Sequence, residues 1–133
     1  MPNWVSAGVV YFAVIFALGF VLGTIRVFVT APFIGDPWAT LIELPVMLSA
    51  SWWWSVRTIR RFQVPQTLAV RVSMGLLALT LLLSAEAALS VVAFGRDLAA
   101  HFAEYMRVGP MLGLLAQLAF AAFPVLQSRL DRA

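Results

Sequence analysis

Apolar residues dominate four stretches of the chain, at about 4–30, 37–56, 68–94 and 108–126. A bilayer core is about 30 Å thick and takes about 20 apolar helical residues to cross. Each stretch is therefore read as a membrane span, and the fourth is the shortest. The segment at about 95–107 has a different pattern. Leu98, Phe102, Tyr105 and Met106 recur at helical spacing as an apolar stripe, and Asp97, His101 and Glu104 form a polar one. That pattern predicts a short helix lying on the membrane surface. The expected fold is all-α: a single membrane domain over 1–133, built as a four-transmembrane-helix bundle with a short interfacial helix between spans three and four. No internal repeat or low-complexity tract interrupts it.

Composition agrees with this reading. The chain is 62% hydrophobic and 11% charged, against about half and a quarter in soluble domains. A chain of 133 residues is too small to hide so much apolar surface from water, and a bilayer removes the need. Cysteine is absent, which excludes disulfides, thiolate metal sites and cysteine nucleophiles. All basic residues are arginine, whose bidentate fork suits phosphate. They flank apolar spans, so lipid explains them better than nucleic acid does. The first stretch has no basic residue before it and is far longer than a signal-peptide core, so a retained helix is expected.

Arginine placement sets the expected orientation. The connection between spans two and three carries Arg57, Arg60, Arg61 and Arg71 and no acid. The tail carries Arg129 and Arg132 against Asp131. The other two connections hold Asp36, Asp97 and Glu104 against Arg96 and Arg107. The positive-inside rule then puts both termini and the arginine-rich connection in the cytoplasm, with the protein in the inner membrane. Trp52, Trp53 and Trp54, just before that cluster, read as an interfacial aromatic belt, and Pro65 breaks any helix running through the connection.

Ionisable residues inside spans are costly and often mark function. Arg26, Glu43 and Glu86 qualify, with Gln117 as an uncharged fourth. At 1.5 Å per residue from the outer end of each span they lie roughly 6, 9, 12 and 13 Å deep. One polar residue from each helix thus falls in one outer-half layer, a candidate site for ligand or proton binding. Gly19 and Gly23 form a small-xxx-small face beside Arg26, and Gly113, Gln117 and Ala121 form a similar face on the fourth span, both expected to pack closely. Pro45 disturbs the turn that contains Glu43 and exposes a carbonyl suited to a cation or polar ligand.

Two interpretations of this layer follow. In one, Glu43 and Glu86 are proton or cation ligands with Arg26 as counter-charge, in a small proton- or cation-coupled transporter or binding protein. Desolvation favours the protonated form of a carboxyl in apolar surroundings, which suits a proton relay. In the other, Arg26 neutralises Glu43, a protonated Glu86 bonds Gln117, and the cluster only specifies packing in a membrane subunit or scaffold. Asp97, His101 and Glu104, at i, i+4 and i+7, are the weak metal candidates, with a solvated polar face as the plainer reading. His101 is the sole histidine, so imidazole-based pH sensing would have to use it. No nucleophile–base set, phosphate loop or haem motif occurs; no enzyme activity or cofactor is expected. The expected partners are the lipid bilayer and a homo-oligomer or larger membrane complex.

The run Gly19-x-x-x-Gly23-x-x-Arg26, then Pro32, Gly35, Glu43-Leu44-Pro45 and Arg60-Arg61-Phe62, resembles a set of small uncharacterised bacterial four-helix membrane proteins. Gly75-Leu76-Leu77-Ala78 and Ala85-Glu86 in the third span continue the likeness. The resemblance implies a four-helix membrane fold and no particular activity. In size the chain is also similar to the small multidrug resistance transporters, but it departs from them where its first span carries Arg26 and no glutamate.

Overall fold

The computed structural model describes residues 2–132, with the side chains at 36, 94, 109, 131 and 132 excepted. The charge assignments resting on Asp36, Asp131 and Arg132 therefore lie outside the described residues. Among those described, all regular structure is helical. Four long helices, α1 (Asn3–Ile25), α3 (Asp36–Phe62), α4 (Leu68–Phe94) and α6 (Val108–Arg132), are joined by the short α2 (Ala31–Ile34) and α5 (Leu98–Ala103). A π turn, Arg26–Thr30, runs between α1 and α2, and a 3-10 turn, Glu104–Met106, follows α5.

Local chemistry explains the boundaries. Pro32 has no N–H to continue an α pattern, and just before it the ladder widens, with the Ala31 N–H bonding the Arg26 carbonyl. Gly35, at φ +88°, then turns the chain, a conformation glycine adopts without strain. The end of α3 comes three residues before Pro65. Gln63 takes the left-handed conformation at φ 53°, and the Val64 N–H bonds the Ile59 carbonyl at 3.1 Å. Val64 and Ile59 are both buried in the core, which completes a Schellman-type stop. Gly95 ends α4 in the same way, at φ 67°. The expected third span matches α4, and α6 continues beyond the expected fourth.

Among the described residues, three stretches are long and apolar enough to cross a membrane: Asn3–Ile34, Leu68–Val92 and Pro110–Leu130. The fourth segment, expected to be weakest, is among them. At 27 residues α3 is long enough, but Glu43, Pro45, the tryptophan run and three arginines dilute its apolar character. The segment at 95–107 is helical only over α5 and the 3-10 turn.

Each of α1 and α6 packs against both α3 and α4, so α1 lies diagonally opposite α6. Side-chain bonds set the relative heights. Ser55, Arg71 and Pro124/Gln127 meet near one end, whereas Arg26 meets Glu43 and Glu86 meets Gln117 toward the other. Residue number thus rises along α1 and α4 and falls along α3 and α6 between these levels, so the four run alternately up and down.

The core lies toward the Ser55–Arg71 end. Ala7, Tyr11, Ile15, Ile59, Met74, Ala78, Leu82 and Phe120 fill it. Pro124 deprives the Phe120 carbonyl of its helical donor, and the Tyr11 hydroxyl donates to that carbonyl at 2.7 Å. The Tyr11 and Phe120 rings stack, with centroids 4.1 Å apart.

Close backbone approach occurs elsewhere than expected. A Cβ on Gly19 would make only ordinary contact with Met47, and one on Gly113 would meet nothing within 4 Å. Gly23 has only the Arg26 guanidinium nearby. The tight positions are Gly8, against Leu77 and the Met74 carbonyl, and Gly75, where a Cβ would overlap the Ala121 carbonyl. The close α1–α4 and α4–α6 approaches at Gly8 and Gly75 fall beside the core residue Met74, whereas Gly19, Gly23 and Gly113 face no close backbone. Gly75→Ala is expected to destabilise the fold by about 1–3 kcal/mol through overpacking, whereas Gly113→Ala should be neutral or gain up to about 1 kcal/mol of helix propensity. Unfolding in detergent, followed by tryptophan fluorescence, checks both.

Candidate functional site

The four polar residues of the expected layer come together as two linked pairs. The Arg26 Nη1 donates to Glu43 Oε2 at 2.7 Å, with side chains 29% and 14% exposed. Arg26 heads the π turn, whose extra residue shifts side chains around the helix relative to a plain α pattern. On the opposite pair of helices, Gln117 Nε2 donates to Glu86 Oε1. Arg26 also lies within electrostatic reach of Glu86, so the pairs share one region. Both carboxylates thus take the partners foreseen in the packing-only interpretation, to which the structure adds three groups.

The first is Tyr105. Its hydroxyl donates to Glu86 Oε2 at 3.1 Å, carrying the site from α4 and α6 out to the 3-10 turn. Burial, the Glu86 charge and this bond all raise the Tyr105 phenol above its ordinary range, so it stays an O–H donor at physiological pH. The second is His101, 9% exposed, whose Nε2 lies 3.4 Å from the Tyr105 hydroxyl. The third is Ser90, one turn along α4 from Glu86 and on the same face. Its Oγ is buried with no hydrogen-bond partner, as is Gln117 Oε1. The polar atoms around Glu86 are therefore not fully matched. Sequence reasoning put Tyr105 in an apolar stripe; only the four-residue step from His101 to Tyr105 pointed to the association of those two.

Asp97, His101 and Glu104 do not converge. Asp97 caps α5 by accepting from the Ala100 N–H at 2.7 Å. Glu104 pairs with Arg107 at 2.9 Å, and His101 turns toward Tyr105. Among the described residues no group of three or more metal-ligating side chains is close enough to hold an ion. Their common face spends its polar groups on local bonds. Pro45 sits exposed on α3, as does Leu41 one turn before it, whose carbonyl loses its α-helical donor to the proline.

A second polar cluster, at the opposite end, was not foreseen as one. Arg71, counted with the lipid-facing arginines, is 1% exposed. It lies one turn into α4 and donates to the carbonyls of Pro65 (3.1 Å), Pro124 (2.9 Å) and Val64 (3.5 Å). It therefore ties the 63–67 connection to α6 instead of facing lipid. The Ser55 hydroxyl donates to Gln127 Oε1 at 2.7 Å, and Gln127 Nε2 to the Trp52 carbonyl at 3.0 Å. The tryptophan run is split by these contacts. Trp53 is 52% exposed, Trp52 packs edge-on against Phe123, and Trp54 packs against the core. No family model, curated protein or solved structure matches the chain.

Removing one partner of a buried ion pair costs more than removing both, because the survivor is left uncompensated. Arg26→Gln and Glu43→Gln are each expected to lower stability by about 1–2 kcal/mol, less than for a fully buried pair because Arg26 is partly exposed. The double variant should cost less than the sum. A double-mutant cycle on unfolding in detergent reads this coupling.

Proposed function

We propose that the protein is a four-span inner-membrane protein in which the Arg26–Glu43–Glu86–Gln117 layer binds protons or a small cation, coupled to binding or transport of a small molecule. Glu86 carries this reading. It is an ionisable group within an apolar span, held by Gln117 from inside and by Tyr105 from the surface segment, with His101 next along. A chain of hydrogen-bonding groups from the surface to a membrane carboxyl is what proton exchange requires.

Gln117 adds a chemical reason. Its amide can serve either state of Glu86. The Nε2 donates to a carboxylate, and the oxygen, now without a partner, could accept from a protonated carboxyl after an amide flip. A side chain able to satisfy both states lowers the cost of moving between them. Arg26 would stabilise the charged state from its place beside Glu43.

A scaffold or membrane subunit is the second reading. It is favoured by the Arg26–Glu43 pairing and by two hollows lined from the arginine-rich end, away from the layer. In that case the layer sets helix packing, and the partner is a second copy or another membrane chain.

Glu86→Gln separates the two. It keeps the shape and a hydrogen-bonding oxygen but cannot ionise. Under the coupled reading, folded yield stays within about twofold of the parent, while proton- or cation-dependent flux in proteoliposomes falls at least tenfold. Loss of the fold, or no flux in the parent, sinks that reading.

The reading places both termini and the 63–67 connection in the cytoplasm, supported by Arg57, Arg60 and Arg61 near that connection. Because the chain has no cysteine, Thr67→Cys supplies a single probe. In intact cells it should resist a membrane-impermeant maleimide and label only after permeabilisation; labelling before permeabilisation reverses the orientation.

A further inference from the structure

Beyond the polar layer, the arginine-rich end of α3 carries a feature that the proposed function does not use. A hollow of about 230 Å³ opens between α1 and α3, lined by Val10, Trp54, Arg57, Thr58, Arg61 and Phe62. Arg57 and Arg61 are four residues apart, so they stand on one helix face. Both are exposed, and no carboxylate lines the hollow. Both guanidinium groups lie over aromatic rings. Arg57 lies 4.7 Å from the Trp53 ring centroid and 5.8 Å from that of Trp54, and Arg61 lies 5.7 Å from that of Phe62. A guanidinium attracted to an aromatic ring still has N–H groups to offer a bidentate anion partner. The rest of the lining is Val10 and Phe62, which are apolar, and Thr58, whose hydroxyl donates to the Trp54 carbonyl.

The same combination recurs on the other flank of α3. There a second hollow, of about 190 Å³, is lined by Trp52, Val56, Ile59, Arg60, Gln127 and Leu130. The three arginines of this helix end are thus shared between two clefts, each with an aromatic edge and an aliphatic floor.

From these residues we infer that the α1–α3 cleft binds the phosphate of an anionic phospholipid, with Arg57 and Arg61 on the headgroup and Val10, Trp54 and Phe62 against the glycerol and first acyl carbons. Phosphate oxygens match the paired forks. A free phosphate would match the forks equally but has nothing to place on the apolar wall, and this favours the lipid. The position agrees as well, because juxtamembrane basic residues are drawn to anionic leaflets. The inference rests on the membrane reading but not on coupling or on transport.

The test uses the full chain purified in detergent and native mass spectrometry with defined lipids. Phosphatidylglycerol should be retained in preference to phosphatidylcholine. R57Q/R61Q should weaken that retention about tenfold or more, while R96Q/R107Q, with the same charge change elsewhere, leaves it within about twofold. R57K/R61K keeps the charge without the fork and should fall between, which also decides the matter if the glutamine variant fails to fold. Equal retention of both lipids, or unchanged retention in both R57Q/R61Q and R57K/R61K, overturns the site. Displacement of the lipid by millimolar inorganic phosphate overturns the lipid assignment in favour of a soluble anion. Because none of these readouts involves flux, the site can fail while the Glu86 reading stands, and the reverse.

Discussion

Inside a bilayer a backbone carbonyl that loses its helical donor has no water to accept from, so the protein must supply another donor. This chain places proline in several of its helices and treats them differently. The Leu41 carbonyl freed by Pro45 lies on an exposed stretch of α3. Before Pro32 the ladder widens into a π turn, in which the Arg26 carbonyl accepts from the Ala31 N–H. At Pro124 the Phe120 carbonyl takes a hydroxyl proton from Tyr11 on the diagonally opposite helix. Arg71 collects the Val64 and Pro65 carbonyls of the short connection and the Pro124 carbonyl with one guanidinium. Satisfying the backbone is therefore also what joins the helices. Lipid tails are as apolar as leucine, so little else drives such helices together apart from packing and bonds of this kind.

The two ends of the molecule consequently differ in character. Toward the Arg71 end the core is dense, and Gly75 presses on the Ala121 backbone. Toward the Glu86 end the helices carry half-buried polar groups, and a cap made from α5 and the 3-10 turn reaches in through Tyr105. One end is held by donors to backbone around a packed core, with two clefts on the flanks of α3. The other holds carboxylates among partners that can serve more than one protonation state, with Ser90 and Gln117 keeping unmatched oxygens. A binding or proton-exchange site needs the second kind of environment on a scaffold of the first kind.

Much of the helical order was legible because it rests on local chemistry. The apolar run at 68–94 coincides with α4, and a break near Pro65 was evident, although the stop itself comes from the left-handed Gln63 and the Ile59–Val64 contact. The common layer of Arg26, Glu43, Glu86 and Gln117 also followed from depth counting, since rise per residue is nearly constant in a helix. Glycine packing was not legible in the same way. Gly19, Gly23 and Gly113 have the spacing of a contact face yet meet no close neighbour, whereas Gly75 and Gly8 do. Spacing says which residues share a face and nothing about which face another helix approaches. Arg71 looked like a loop charge for a similar reason, because one of the carbonyls that bury it, that of Pro124, is 53 residues away.

What the sequence by itself determined is thus much of the helical order, its main turning points and the height of each polar residue along its helix, all properties of a single segment. Tertiary structure selected the Arg26–Glu43 and Glu86–Gln117 pairs from the two interpretations open to the sequence, and it alone brought Glu86 to Tyr105, Tyr11 to the Phe120 carbonyl, and the arginines of α3 to two clefts. These depend on how each helix is rotated about its axis and which neighbour it faces, and that rotation is set by contacts summed over the whole fold.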